Sequence, residues 1–363
     1  MKKILSLLIV AIASVCAFYA WQVIYFISTP MSTEHHEIIF EIPNGMAFHH
    51  VAHALEAQGL IRDERKFGWY AKATGTAARV KVGEYELSPD MKPREILDIL
   101  VSGKSIAYSL VVPEGNNIFD IRDSLNELWP HRGDEFYHVV TTPALIQKIT
   151  GEKLNTLEGY LFPDTYSLTK FTAVEALVRH MYDRFQDAIK ETNKNSKVPM
   201  SLHDQVILAS VIEKETGAPE ERPMISSVFH NRLKKGMRLQ SDPTILYGMA
   251  AEVGEMPNNI SRADILRPSA YNTYTVKALP AGPISNPGKA ALWAAVNPND
   301  SNYFYFVSRN DGTHVFSESL DAHNKAVKKF QVDPKARAGK SWRDLANRPI
   351  AKPAVVPAPK TKN

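Results

Sequence analysis

The sequence predicts an α+β protein on an amino-terminal membrane span, a small β/α module followed by a mixed helical region with short strands. Three observations carry that prediction. Residues 4–27 hold no charged side chain; strand and helix periods alternate from residue 38 to about 108; helical periods with brief strand signals fill 109–330. Of 363 residues, 44% are hydrophobic and 23% charged, which places the chain in the globular class, long enough for two or three domains. Lys and Arg number 43 against 39 Asp and Glu, a net +4 that is too mild to imply nucleic-acid binding, and no basic block is interleaved with aromatics. The single cysteine, Cys16, lies in the apolar segment, so cysteine catalysis and zinc–cysteine sites are ruled out.

Residues 1–3 carry Lys2 and Lys3, and the next basic residue after the apolar segment is Arg62, so the positive-inside rule puts the amino terminus in the cytoplasm and the rest outside. Residues 4–27 are long enough to cross ~30 Å of hydrocarbon as a helix. A cleaved signal would have a shorter apolar run, and Tyr19, Trp21 and Tyr25 suit the outer interface, so a retained span is expected. Residues 28–37 read as a tether. A strand over 38–42 ends at Pro43-Asn44-Gly45; helices follow over 47–59 and 65–73, a strand over 80–87, and a helix over 93–102 opened by Pro93. His49 and His53 stand four apart on a helix, but no cysteine or carboxylate cluster accompanies them, so they read as exposed histidines and no metal or other cofactor is expected.

Ile42-Pro43-Asn44-Gly45 is echoed by Val112-Pro113-Glu114-Gly115, in each case strand, turn and helix, the second helix spanning 118–128. Residues 157–166 are aromatic-rich and turn at Pro163-Asp164, as a hydrophobic elbow would. A helix over 174–192 and a Lys/Asn linker lead to residues 205–217. At ~100° per residue, Leu208, Val211, Ile212 and Glu215 form one row of an amphipathic helix. Ser210, Glu213 and Lys214 would lie on the other side, Glu213 as a solvated carboxylate, with Gly217 as the cap. A carboxyl in line with the apolar stripe is desolvated, which raises its pKa towards that of a proton donor near neutral pH. Periodicity alone favours the other reading, a structural glutamate at the rim of the core, because structural carboxylates outnumber catalytic ones.

A helix over 221–235 ends at Gly236, and Asp242 before Pro243 reads as an N-cap, leaving Gln240 and Ser241 unexplained by capping. A short helix over 261–266 precedes the polar, aromatic Tyr271-Asn272-Thr273-Tyr274. Asn286-Pro287-Gly288 opens a helix through Val296. Strands over 303–308 and 313–317 flank the hairpin turn Asn310-Asp311-Gly312, a last helix covers 320–330, and Lys/Ala/Pro-rich residues 331–363 read as a disordered tail.

Six blocks in order resemble the YceG-like (MltG) family of endolytic murein transglycosylases: residues 158–166 (EGYLFPDTY), 209–216 (ASVIEKET), 231–233 (NRL), 237–244 (MRLQSDPT), 271–274 (YNTY) and 279–284 (LPAGPI). The resemblance implies a LysM-like module over 38–108 and a catalytic region over 109–330, with its core at 151–330. It implies that Glu215, the second glutamate of Glu213-Lys214-Glu215, is catalytic. The bond cut would be the β-1,4 link between N-acetylmuramic acid and N-acetylglucosamine inside a glycan strand, leaving 1,6-anhydro ends without hydrolysis. Gln240, Ser241, Asp242, Tyr271, Asn272 and Tyr274 are then candidate saccharide contacts, and Glu158, Asp164 and Tyr166 candidate supports behind them. The family's setting also implies an inner-membrane location, peptidoglycan strands as substrate, association with peptidoglycan synthases and a role in ending strand elongation. Two competing readings stand beside it: a two-carboxylate glycoside hydrolase using Glu215 and Asp242, and a non-catalytic wall-binding anchor.

Overall fold

The computed structural model describes residues 2–333, with side chains from Leu7 onward, and is a helix-rich α+β protein with short strands. The tail expected over 331–363 lies almost wholly outside the described residues. Contacts divide the chain into two units, one of Met1–Tyr108 with Ser167–Thr172, the other of Ser109–Tyr166 with the chain from Ala173 on.

The first unit opens with α1 (Lys2–Ser28), one apolar helix. Strand β1 (Ile38–Ile42) pairs antiparallel with β2 (Gly83–Leu87), Phe40 opposite Tyr85 and Ile42 opposite Gly83. Phe40 and Ile42 point inward while Ile39 is exposed, the period of two that a one-sided sheet requires. Against that sheet pack α2 (Phe48–Ala57), α3 (Glu64–Ala73) and α4 (Pro93–Ser102), burying Leu55, Phe67 and Leu100 in one core. The strand expected from residue 80 begins at Gly83, where Ser105 approaches so closely that a Cβ would sit 2.8 Å from its side chain.

The second sheet is β3 (Tyr108–Val111) with β4 (Thr165–Leu168). Helix α5 (Ile118–Leu128) is capped by the Asn117 side chain, which accepts from the Phe119 and Asp120 amides. Two helices with no clear sequence signal follow, α6 (Arg132–Thr141) and α7 (Pro143–Thr150). They are short, and Gly133 lets α6 approach α5: a Cβ there would lie 1.9 Å from the Arg122 carbonyl oxygen. Beyond α8 (Val174–Thr192) come α9 (Leu202–Glu215), α10 (Arg222–Lys234), α11 (Asp242–Val253), α12 (Arg262–Leu266) and α13 (Lys289–Val296). Strands β5 (Tyr305–Ser308) and β6 (His314–Ser317) form the expected hairpin, and α14 (Leu320–Val327) runs on into a π-helical turn.

Helix α9 packs against α10, α11 and α13 at the centre of the second unit. Beside it, the Asn286 side chain ties three segments together. Its Oδ1 accepts from the amides of Gly159 (2.9 Å) and Leu161 (3.0 Å), while its Nδ2 donates to the Asn116 carbonyl (3.0 Å) and Glu158 Oε1 (3.2 Å). Gly159 has φ +85°, and a Cβ there would fall 2.5 Å from Pro283 and 2.7 Å from Val206. Left-handed strain and overpacking each cost on the order of 1–3 kcal/mol. Gly159→Ala is therefore expected to destabilise the protein by about 3 kcal/mol in urea unfolding, whereas Gly254→Ala, with φ +85° but open space around it, should cost only about 1 kcal/mol.

Candidate active site

Helix α9 starts at Ser201, whose Oγ accepts from the Asp204 amide (3.1 Å). Every residue from Gln205 to Glu213 is buried, so the helix is apolar-packed on all sides and not amphipathic as its spacing suggested. Ser210, expected on the polar side, is inside: its Oγ accepts from the Ile284 amide (3.0 Å) and its carbonyl from Ser285 Oγ (3.2 Å). The helix stops because Thr216 turns extended (φ −144°, ψ 138°), not because of a left-handed Gly217. Glu215 is thus the last helical residue, the point at which a buried helix meets solvent.

Glu215 retains some exposure as a residue, while its carboxyl sits among packed protein atoms. Desolvation raises its pKa to about 7; the Asp242 charge adds to the rise, and a hydrogen bond from Ser241 and the Arg232 charge oppose it. Ser241 Oγ donates to Glu215 Oε1 at 2.5 Å. That serine is held tightly. Its amide donates to Thr273 Oγ1 (2.9 Å), Thr273 Oγ1 lies 2.9 Å from Thr244 Oγ1, and the preceding Gln240 adopts a left-handed φ of 51° with its amide on the Thr273 carbonyl (3.2 Å). A left-handed glutamine costs about 1 kcal/mol or more and persists only where its surroundings fix it. Arg232, buried, completes the frame by donating to the Leu239 and Phe304 carbonyls, both at 2.6 Å.

Asp242 is the first residue of α11 and not its cap; its Oδ1 accepts from the Tyr274 hydroxyl at 2.6 Å. Burial, then Asp242, raises the Tyr274 pKa, so that hydroxyl stays a donor. Ser241 therefore touches Glu215 directly, Asp242 and Tyr274 lie near enough for their charges to bear on it, and Gln240 enters only through its backbone beside Ser241. Asn272 does not present itself to that group: buried, it spends its Nδ2 on the carbonyls of Asp264, Ile265 and Arg267 and its Oδ1 on the Tyr274 amide. Tyr271 packs instead on Tyr247, with ring centroids 5.2 Å apart, and lies over Gly248 and Gly282.

Beside Glu215 opens a cleft of about 390 Å³ lined by Glu114, Glu213, Lys214, Thr216 and Arg222. Glu213 is buried here, contrary to its reading as a surface carboxylate, because it has a partner nine residues on. Arg222 Nη2 donates to Glu213 Oε1 at 2.5 Å and lies 3.5 Å from Glu114 Oε2, and Glu213 Oε2 accepts from the Gly288 amide at 3.0 Å. A charge that deep is tolerated only when paired and hydrogen-bonded. Lys214 Nζ donates to the Gly115 carbonyl (3.2 Å), and burial, then the Glu213 charge, raises the Glu114 pKa. Nothing in the sequence marked Arg222 for this place; Thr273 stood inside the 271–274 block but was not among its candidate contacts, and Glu114 stood in the second copy of the echoed turn, where the first has Asn44.

The supports expected behind the site serve elsewhere. Glu158 is buried, accepts from the Ile118 amide (3.0 Å) and Asn286, and burial raises its pKa to about 8. Asp164 makes an exposed ion pair with Arg184 (2.5 Å), and the Tyr166 hydroxyl donates to the Phe162 carbonyl (2.5 Å). All three hold the elbow at 157–166 in place.

Comparison with known proteins follows the same residues. The YceG-like family model matches residues 40–329. The endolytic murein transglycosylase of Bacillus subtilis is 32% identical over 307 residues, covering 80% of this chain and 83% of that protein. That of Streptococcus pneumoniae D39 is 27% identical over 360 residues, covering 88% of this chain and 63% of the longer streptococcal protein. A crystal structure of a YceG-like protein from Listeria monocytogenes superposes with a TM-score of 0.52 at 32% identity, over 81% of this chain and 100% of that one. A match that spans both units in sequence, and a solved relative of the same fold at that identity, establish that the chain belongs to the YceG-like family.

Proposed function

We propose that this protein is an endolytic lytic transglycosylase of peptidoglycan, with Glu215 as its acid and base. The observation that carries the reading is a carboxyl at the mouth of a cleft whose pKa, raised by desolvation to about 7, lets it hold a proton at working pH. Protonated Glu215 donates to the oxygen leaving C1 of N-acetylmuramic acid. As carboxylate it then takes the proton of the C6 hydroxyl of the same sugar, whose oxygen closes on C1 to give the 1,6-anhydro ring. Atoms balance without water, so one tuned carboxyl suffices where hydrolases use two. Ser241, Gln240, Asp242 and Tyr274 supply polar oxygen and nitrogen atoms near the developing positive charge at C1.

The rest of the reading concerns placement. Residues 7–28 form a helix of mean hydropathy 2.2 with none of its apolar window buried, which supports a single-pass anchor in the bacterial cytoplasmic membrane. With Lys2 and Lys3 inside, the catalytic region faces outward. Residues 38–108 form the LysM-like module, and the anchored enzyme ends the growth of nascent strands beside peptidoglycan synthases. A two-carboxylate hydrolysis keeps some support from Asp242, whose charge reaches Glu215.

Glu215→Gln is expected to lower turnover of purified glycan strands about 1,000-fold, the loss of a general acid with no substitute, while leaving thermal unfolding nearly unchanged at about pH 4, where the carboxyl is protonated in the folded chain and mostly so in the unfolded one. Muropeptide mass spectrometry would read it, and retained turnover in that variant defeats the assignment. The same measurement in ¹⁸O-water separates the chemistries: anhydro ends free of solvent oxygen are expected, and labelled reducing ends mean hydrolysis. Because the proton must be present at the start, kcat/KM should fall as pH rises through about 7. Removing the Ser241 hydrogen bond, which favours the carboxylate, should move that fall to higher pH in Ser241→Ala; an unmoved or lowered limb would separate Glu215 from the pH profile. Finally, the full chain should stay in the membrane pellet through a carbonate wash, and release into the supernatant would remove the anchor.

A further inference from the structure

A second groove of about 490 Å³ adjoins the cleft, and Glu114 lines both. Its wall is Trp293, 42% exposed, a large aromatic left open on α13 in the second unit. Lys289 stands one turn before it on the same face, paired with Glu191, and Pro219 and Pro223 close the opposite side. Both prolines belong to segments already at the site: Pro219 follows Glu215 by four residues, and Pro223 adjoins the Arg222 that binds Glu213. On the other wall, Gly288 gives its amide to Glu213 and leads directly into Lys289.

Cutting inside a strand requires sugars to be held on both sides of the broken bond, and a groove that adjoins the cleft at Glu215 lies where the next sugars of such a strand would run. A β-linked pyranose offers what this groove can hold. Its axial C–H bonds form a weakly positive apolar face that suits the negative face of an indole and the flat edges of prolines, while its equatorial hydroxyls reach the charged rim. We infer that the Trp293 groove is a saccharide subsite, in which the indole stacks on a pyranose of the strand being cut, one or two residues from the bond at Glu215. This rests on the glycan reading above and adds a specificity-determining residue to it.

The test uses the full chain in detergent carrying Glu215→Gln, and peptide-free glycan strands prepared with an amidase. Adding Trp293→Ala is expected to weaken binding about tenfold and to abolish part of the change in tryptophan emission on glycan addition; Trp293→Phe, which keeps a stacking face, should stay within about threefold of the parent. Unchanged affinity in Trp293→Ala overturns the subsite. So does weakening seen only with strands that still bear stem peptides, since the groove would then hold peptide. If the parent binds no glycan and the wild type releases no anhydro ends, the catalytic reading has failed and the subsite falls with it; cleavage by the wild type with affinity indifferent to Trp293 removes the subsite alone.

Discussion

The second unit depends on a helix that has no outward face. Residues 205–213 of α9 are buried on every side, so the chain can bring a polar group to the surface only where the helix ends. At its last turn Lys214 is exposed and Glu215 half-buried. Burial of residues 205–213 thus does two things with one arrangement: it anchors the core apolar contacts, and it leaves the carboxyl of the last residue desolvated. A glutamate at a fully solvated helix end would keep its pKa near the usual carboxylate range.

Around that exit, the unit holds its polar groups by pairing them. Glu213 is matched by Arg222 and the Gly288 amide, Asn286 joins the 116, 158–161 and 284–288 segments, and Thr273 fixes Ser241. Apart from Arg222, nine residues after Glu213, the partners are far along the chain, 26 residues in the case of Ser241 and Glu215 and more than 120 for Asn286 with Gly159. These links hold together the loops that α9 leaves at its end. Their loss would not unfold the helix so much as release the groups that surround its last turn.

Much of this was legible in the sequence, and the reasons are local. The helix at 93–102 announced itself by Pro93 at its first turn, the hairpin at 305–317 by Asn310-Asp311-Gly312, and the short β1 by its alternation. Other features could not be read because their causes are distant. The period of α9 pointed to one apolar row, but a helix buried all round carries no phase, so Glu213 and Ser210 were placed on the wrong side. Glu215 was singled out on that same premise, and the structure keeps its carboxyl desolvated for a different reason, the position of the helix end. Asp242 looked like a cap because Asp-Pro usually is one; here its carboxylate is taken by Tyr274, 32 residues on. The helices α6 and α7 are short, and α6 meets α5 through a glycine, leaving little periodic signal.

The bond from Ser241 makes the two oxygens of Glu215 unlike. Oε1 accepts the serine hydroxyl, so an acidic hydrogen is better placed on Oε2. A hydrogen carried there points one way, away from the serine. The direction of that hydrogen is set from outside the helix, by a loop held at Gln240 in a costly backbone shape.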